Sequence, residues 1–163
     1  MTPQQQGRQA QANGRILEKS ILPVLIARGF HVLSHTDWAN KPDTRPPDVV
    51  LTNAPYTNIY GRRAKSEFLI LSQRLGLEVR VECKWQQASG SVDEKFPYYY
   101  LNAVFSYGEK AAFIVADGDG FRQGAIDWLK DAVAKKLYQP QGFTRDIRVF
   151  NLAQFIAWVN TTV

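Results

Sequence analysis

In LEVRVECKW, residues 77–85, Val79, Val81 and Cys83 alternate with the charged residues Glu78, Arg80, Glu82 and Lys84. Successive side chains of a strand point to opposite faces, so this period of two sets an extended chain with one core face and one charged face. Glu82 and Lys84, two positions apart, project to the same side. A solvated face on which Arg80 and Lys84 offset Glu78 and Glu82 accounts for the charge alternation taken alone. Otherwise the charged face is functional.

The rest of the chain supplies the partners such a strand needs. NGRILEKSILPVLIARG (13–29) carries Ile16, Leu17, Ile21, Leu22, Val24, Leu25 and Ile26 on a broad apolar face and ends at Gly29, a natural helix stop, with a bend expected near Pro23. FHVLSH reads as a strand, DWANKPDTRPP as an irregular loop, and PDVVLT as a strand entered through Pro47. NAPYTN reads as a turn, and the basic stretch YGRRAKSE follows it. FLILS and LEVRVECKW, separated by QRLG, read as a hairpin. After the polar loop QQASGSVD comes a helix through EKFPYYYLNAVFSYG, with Ser91 or Asp93 as candidate caps. A strand (KAAFIVAD), a helix with Ile126, Leu129, Val133 and Leu137 at helical spacing, a strand (IRVFN) and a last amphipathic helix (LAQFIAWVN) complete the chain. The order αββββαβαβα predicts an α/β fold with one central mixed sheet flanked by helices.

Composition narrows the class. The chain has 163 residues, 45% of them hydrophobic, and no Pro-rich or Ser/Gly-rich tract divides it. One domain is expected over 14–163, preceded by a flexible, Gln-rich tail over 1–13. The longest apolar runs fall far short of the roughly 18 residues of a membrane span, and the polar N-terminus lacks the apolar core of a secretory signal. A soluble cytoplasmic protein without membrane contact is expected. The single cysteine, Cys83, excludes an intramolecular disulfide and a cysteine-cluster zinc site. His31 and His35 lie on a strand and are not the helical pair of a zinc protease. The net charge of +5 suits an anionic partner.

The chemistry-bearing residues fall at strand ends. Asp48 opens one strand and Glu82 and Lys84 end another; if the strands are neighbours, the two carboxylates converge on one hard cation, which prefers oxygen ligands. Lys84 at its rim is placed to orient a water or to balance charge developing on a phosphate. These are the components of a phosphodiester hydrolase.

Pro47-Asp48 with VVL behind it, Glu82-Cys83-Lys84 after VRV, and Gln86 downstream resemble the PD-(D/E)xK nuclease superfamily, closest to its small phage or prophage members. The resemblance implies a restriction-endonuclease-like core in which SEFLILSQRLG is an inserted strand and turn. It implies an endonuclease acting on DNA in the host-cell cytoplasm, using Mg²⁺ with Mn²⁺ as a substitute. Asp48 and Glu82 would hold the metal, Glu18 of the leading helix would join them, Lys84 would assist the attacking water, and Gln86 would support it. Two sites are needed to cut both strands, so a homodimer is compatible.

Nucleic-acid contacts are expected from Arg62, Arg63 and Lys65, a basic patch near Tyr56 and Tyr60, and from Lys95 and Gln87. Tyr98, Tyr99 and Tyr100 are expected to pack a helix rather than to stack on bases. A catalytically inactive nucleic-acid-binding module of the same fold, or a structured-RNA nuclease, is the alternative.

Overall fold

Six strands, β1 (His31–Ser34), β2 (Asp48–Thr57), β3 (Arg63–Ser72), β4 (Leu77–Trp85), β5 (Ala111–Asp117) and β6 (Asp146–Phe150), join in sequence order into one mixed sheet. The computed structural model describes residues 3–163, with side chains from Arg15 onward. β1 runs parallel to β2, β2–β3–β4 form an antiparallel meander, and β4, β5 and β6 are parallel. The helices are α1 (Pro3–Ala27), α2 (His35–Asn40), α3 (Phe96–Phe105), α4 (Gln123–Ala134) and α5 (Leu152–Thr162). The parallel crossovers through α3 and α4 place those helices on one face of the sheet, while α1 and α5 cover the other.

The core face of β4 is where the alternation puts it. Val79, Val81 and Cys83 pack with Leu17, Ile21 and Leu25 of α1 and with Phe155, Trp158 and Val159 of α5. Removing one of these large side chains is expected to cost on the order of 2–5 kcal/mol, since the site collapses only in part. Gly29 adopts a positive φ of 90° as α1 ends, and Phe30 N–H reaches back to the Leu25 carbonyl, the closure a left-handed residue permits.

Four local expectations change. α1 extends N-terminally to Pro3, so the backbone is helical over most of the expected tail; Met1 and Thr2 lie outside the described residues. DWANKPDTRPP is not wholly irregular: Ser34 caps α2 by accepting from Asp37 N–H at 3.0 Å, and Pro42 opens a 3-10 turn, where its missing N–H costs nothing. NAPYTN is no turn. β2 runs through it to Thr57, and the reversal falls at 58–62, where the Asn58 side chain accepts from Tyr60 and Arg62 N–H. Neither Ser91 nor Asp93 caps α3, because Asp93 is buried and bonded to Arg122 instead.

No described helix is long and apolar enough to cross a membrane.

Candidate active site

The sheet opens where its charged residues collect. β2 and β3 stay paired to their ends, Thr57 opposite Arg63, but β3 pairs with β4 only from Ser72–Leu77 to Phe68–Val81. Beyond Val81, β4 pairs with β5 alone. The freed edge of β4 is met by side chains: the Glu67 carboxylate accepts from Cys83 N–H at 2.9 Å. Glu67 therefore replaces a backbone acceptor that the diverging strand no longer supplies.

The charged face of β4 is not a solvated face. Arg80 and Glu82 are only 5% and 4% exposed, roofed by the aromatic residues of α3 and its neighbours. Arg80 is almost fully satisfied: it forks onto Glu109 at 2.7 and 3.0 Å and donates to the Ala54 carbonyl and Ser66 Oγ, both at 2.9 Å. Burial alone would raise the Glu109 pKa, but this guanidinium outweighs it and holds the carboxyl low.

Lys84 lies between two carboxylates. Its Nζ is 2.7 Å from Glu82 Oε1 and 3.0 Å from Glu67 Oε1, and the Tyr99 ring of α3 lies 4.8 Å away. Burial would lower the Lys84 pKa, but Glu82 and Glu67 outweigh it, so the amine is held as an ammonium. Glu82 is pushed up to about 7, by burial first, with Glu67 adding to it and Lys84 opposing. Glu18 of α1 is also raised, by burial and then by the charge of Glu67, which brings it into the electrostatic reach of the cluster.

Glu82 Oε2 has no hydrogen-bond partner although it is buried; Tyr107 Oη is the other such atom among the described residues. An unpartnered buried carboxylate oxygen costs several kcal/mol unless a cation or a hydrogen-bond donor meets it. Among the described residues no three carboxylate, imidazole or thiol groups already surround one cation position; the Lys84 ammonium sits between the two glutamates.

The expected sites can now be placed. Glu82 and Lys84 are together; Glu18 is linked to the cluster only through the charge of Glu67. Asp48 is not. It pairs with Ser72, whereas Glu82 lies beyond Val81, and Thr52, not Asp48, aligns with the Phe68–Val81 pair. Asp48 stands five residues short of Asn53, about 16 Å along the strand from the position next to Glu67. There it accepts from Ser72 Oγ at 2.5 Å and Arg74 Nε at 3.3 Å. The Ser72 bond, then Arg74 acting against burial, holds its pKa below the usual carboxylate range.

Gln86 is also placed otherwise than expected. Its amide is consumed by the fold, donating to the Gly120 carbonyl at 2.7 Å and accepting from Val92 N–H at 3.0 Å. It ties the 86–92 loop to the Gly118–Gly120 turn, whose glycines are required by close approach. A Cβ at Gly118 would strike the Gln86 carbonyl, and one at Gly120 the Ala88 carbonyl. Gln87 is exposed beside it and donates to Asp119 at 3.4 Å. Arg62, Arg63, Lys65 and Lys95 are exposed and form no ion pair among the described residues.

Glu67 is the residue the sequence reading missed, although its signal was present. A QRLG turn that sets Ser72 against Leu77 continues in antiparallel register to bring Glu67 level with Glu82.

A family model described as a PD-(D/E)XK nuclease superfamily domain matches residues 9–163. No curated protein and no solved structure matches the chain.

Proposed function

Because the chain belongs to the PD-(D/E)XK nuclease superfamily, we propose that it is a metal-dependent nuclease of DNA whose reacting phosphate is met by Glu67, Glu82 and Lys84. The observation that carries this reading is the triad itself: one ammonium shared by a buried and a half-buried glutamate at 2.7 and 3.0 Å, with an oxygen of the buried one, Glu82, left unpartnered. A buried charge is retained cheaply only when its lone pairs are satisfied, and this oxygen, which no group among the described residues meets, is the one open to a cation.

The donor set fits a hard divalent cation. Glu82 and Glu67 supply carboxylate oxygens, Glu18 lies within the electrostatic reach of Glu67, and Mg²⁺ prefers such oxygen ligands. When bound, the cation supplies charge neutralisation at the phosphoryl oxygen and acidifies a water for attack. The remaining work belongs to the chain. Lys84, held as an ammonium, is a donor and a positive charge but not a base, so its role is to orient the attacking water and to stabilise charge on the phosphate. Tyr99 covers the ammonium and limits its hydration. Arg80 and Glu109 fix β4 from below, so that Glu82 stays in place through the reaction.

The test is cleavage of supercoiled plasmid and linear DNA with Mg²⁺ or Mn²⁺, with and without EDTA, by the wild type, Glu67→Gln, Glu82→Gln and Lys84→Ala. Metal-dependent cutting by the wild type, lost in the three variants, supports the assignment. Cutting that persists in all three variants places the chemistry elsewhere, and DNA binding without cutting leaves a binding module.

A further inference from the structure

The hairpin between β2 and β3 carries an aromatic residue where folding does not require one. Tyr60 is 70% exposed, yet its ring is not loose: one face stacks on Tyr98 of α3, with centroids 5.5 Å apart and planes inclined by 19°. The tip that bears it is pinned from several sides. Tyr60 and Arg62 N–H donate to Asn58 Oδ1, Asn58 Nδ2 reaches Tyr98 Oη at 3.0 Å, and Ile59 N–H donates at 2.9 Å to Asn102, which is fully buried. The ring is therefore held in one orientation with its outer face open to solvent.

From this ring a line of contacts leads to the site. Tyr98 meets Tyr99 at 5.6 Å, edge to face, and Tyr99 lies 4.8 Å from Lys84 Nζ. Arg62 lies in the same tip and Arg63 and Lys65 follow it on β3, all exposed and without ion-pair partners among the described residues. Arg63 and Lys65, two apart on β3, project to one side of the strand, and Glu67 follows two residues on, where β3 leaves β4.

We infer that the hairpin tip is a docking platform for an unpaired stretch of nucleic acid: a base stacks on the open face of Tyr60, while Arg62, Arg63 and Lys65 hold the adjoining phosphates. A pre-oriented aromatic face beside a basic track is what single strands use, because every base offers a π-face once it is unstacked. In a continuous duplex the base faces are covered, and only the cations would make contact. The preferred substrate of the site is then a strand with unpaired nucleotides beside the bond to be cut. This substrate class rests on the nuclease reading of the Glu67–Glu82–Lys84 cluster; the platform itself does not.

Binding measured in EDTA separates the two. Fluorescence anisotropy with a labelled single strand and a blunt duplex of equal length, at fixed low salt, compares the full-length wild type with Tyr60→Ala, Tyr60→Phe and Arg62→Ala/Arg63→Ala. Tyr60→Ala is expected to weaken single-strand binding about tenfold and duplex binding less than about twofold. Tyr60→Phe, which keeps the ring, restores the single-strand affinity, and the double arginine variant weakens both ligands and flattens their salt dependence. Equal losses for strand and duplex in Tyr60→Ala, no loss at all, or a wild type that binds neither overturns the proposal. Thermal melts check that the exposed substitutions leave the fold intact. A single-strand preference in a protein that never cuts would sink the nuclease reading and leave the platform standing.

Discussion

The two ends of the β2–β3–β4 meander each hold a carboxylate beside a basic side chain, and they differ in what is left over. At one end Asp48 lies between Ser72 and a half-exposed Arg74, its oxygens bonded and its pKa lowered. At the other, Glu82 is buried, its pKa is pushed up to about 7 chiefly by that burial, and one oxygen has no partner. The first arrangement is complete in itself, whereas the second is stable only because Lys84 and the surrounding fold hold it. A motif that reads as acid plus base in sequence can be either, and the distinction lies in solvation and unmet hydrogen bonds.

The largest effect expected is on cleavage. Glu82→Gln and Glu67→Gln should each lower the rate roughly 100- to 1,000-fold, while Asp48→Asn should change it by no more than about threefold. An Asp48→Asn variant as inactive as Glu82→Gln would reverse the comparison and restore the Pro47-Asp48 end as the metal site.

Stability sharpens the same contrast. Lys84→Met leaves the buried Glu82 and the half-buried Glu67 without their shared cation, and removal of one partner of a buried pair costs about 3–5 kcal/mol. For a chain of this size that corresponds to a fall in Tm of roughly 6–20 °C. Adding Glu82→Gln to Lys84→Met should recover much of the loss, because the orphaned charge is then gone. Arg74→Met, at the exposed end, should move Tm by about 1–2 °C at most. Equal losses from Lys84→Met and Arg74→Met would show that burial does not separate the two ends.

Gln86→Ala is expected to act on the fold alone. The lost bonds to Gly120 and Val92 are made by a buried side chain, so about 1–3 kcal/mol of stability should go, with DNA affinity in EDTA unchanged. A drop in affinity without a change in Tm would return Gln86 to the substrate side.

Much of this was legible in the residues. The alternation in LEVRVECKW marked β4 from end to end and identified its core face, and the element order gave the mixed sheet between helix layers. Glu82 and Lys84 stood out because a strand brings i and i+2 together. What local pattern does not contain is how far two strands stay paired. Glu67 looked like the polar edge of an apolar strand, and only the divergence of β3 from β4 after Phe68–Val81 turns it into a ligand for the Cys83 amide and Lys84. Asp48 lies apart from Glu82 for the opposite reason: β2 is ten residues long, and its proline-led start is the end away from the opening. Gln86 lies beside the motif in sequence, but one of its partners, Gly120, comes from 34 residues along the chain.

The smallest effect tests whether burial alone defines the difference between the two ends. Asp93 is as buried as Glu82 but is bonded on every side by Arg122: to the backbone N–H at 2.9 Å and to the guanidinium at 2.8 and 2.9 Å. Those bonds, the side-chain ones first, outweigh burial and lower its pKa to about 2. A carboxylate whose folded pKa lies below its unfolded value of about 3.9 adds stability that is fully present above that value and is lost as pH falls toward 2. Asp93→Asn should therefore lower Tm by a few degrees at pH 7, with the gap from wild type narrowing between about pH 4 and pH 2. Glu94→Gln, which removes the exposed partner of the same guanidinium, should leave the melt almost unchanged. If the gap instead stays constant down to pH 2, Asp93 contributes through packing and not through its charge. If it closes, a buried acid with every oxygen bonded behaves like Asp48, and it is the unmet oxygen of Glu82, rather than its depth, that sets the candidate active site apart.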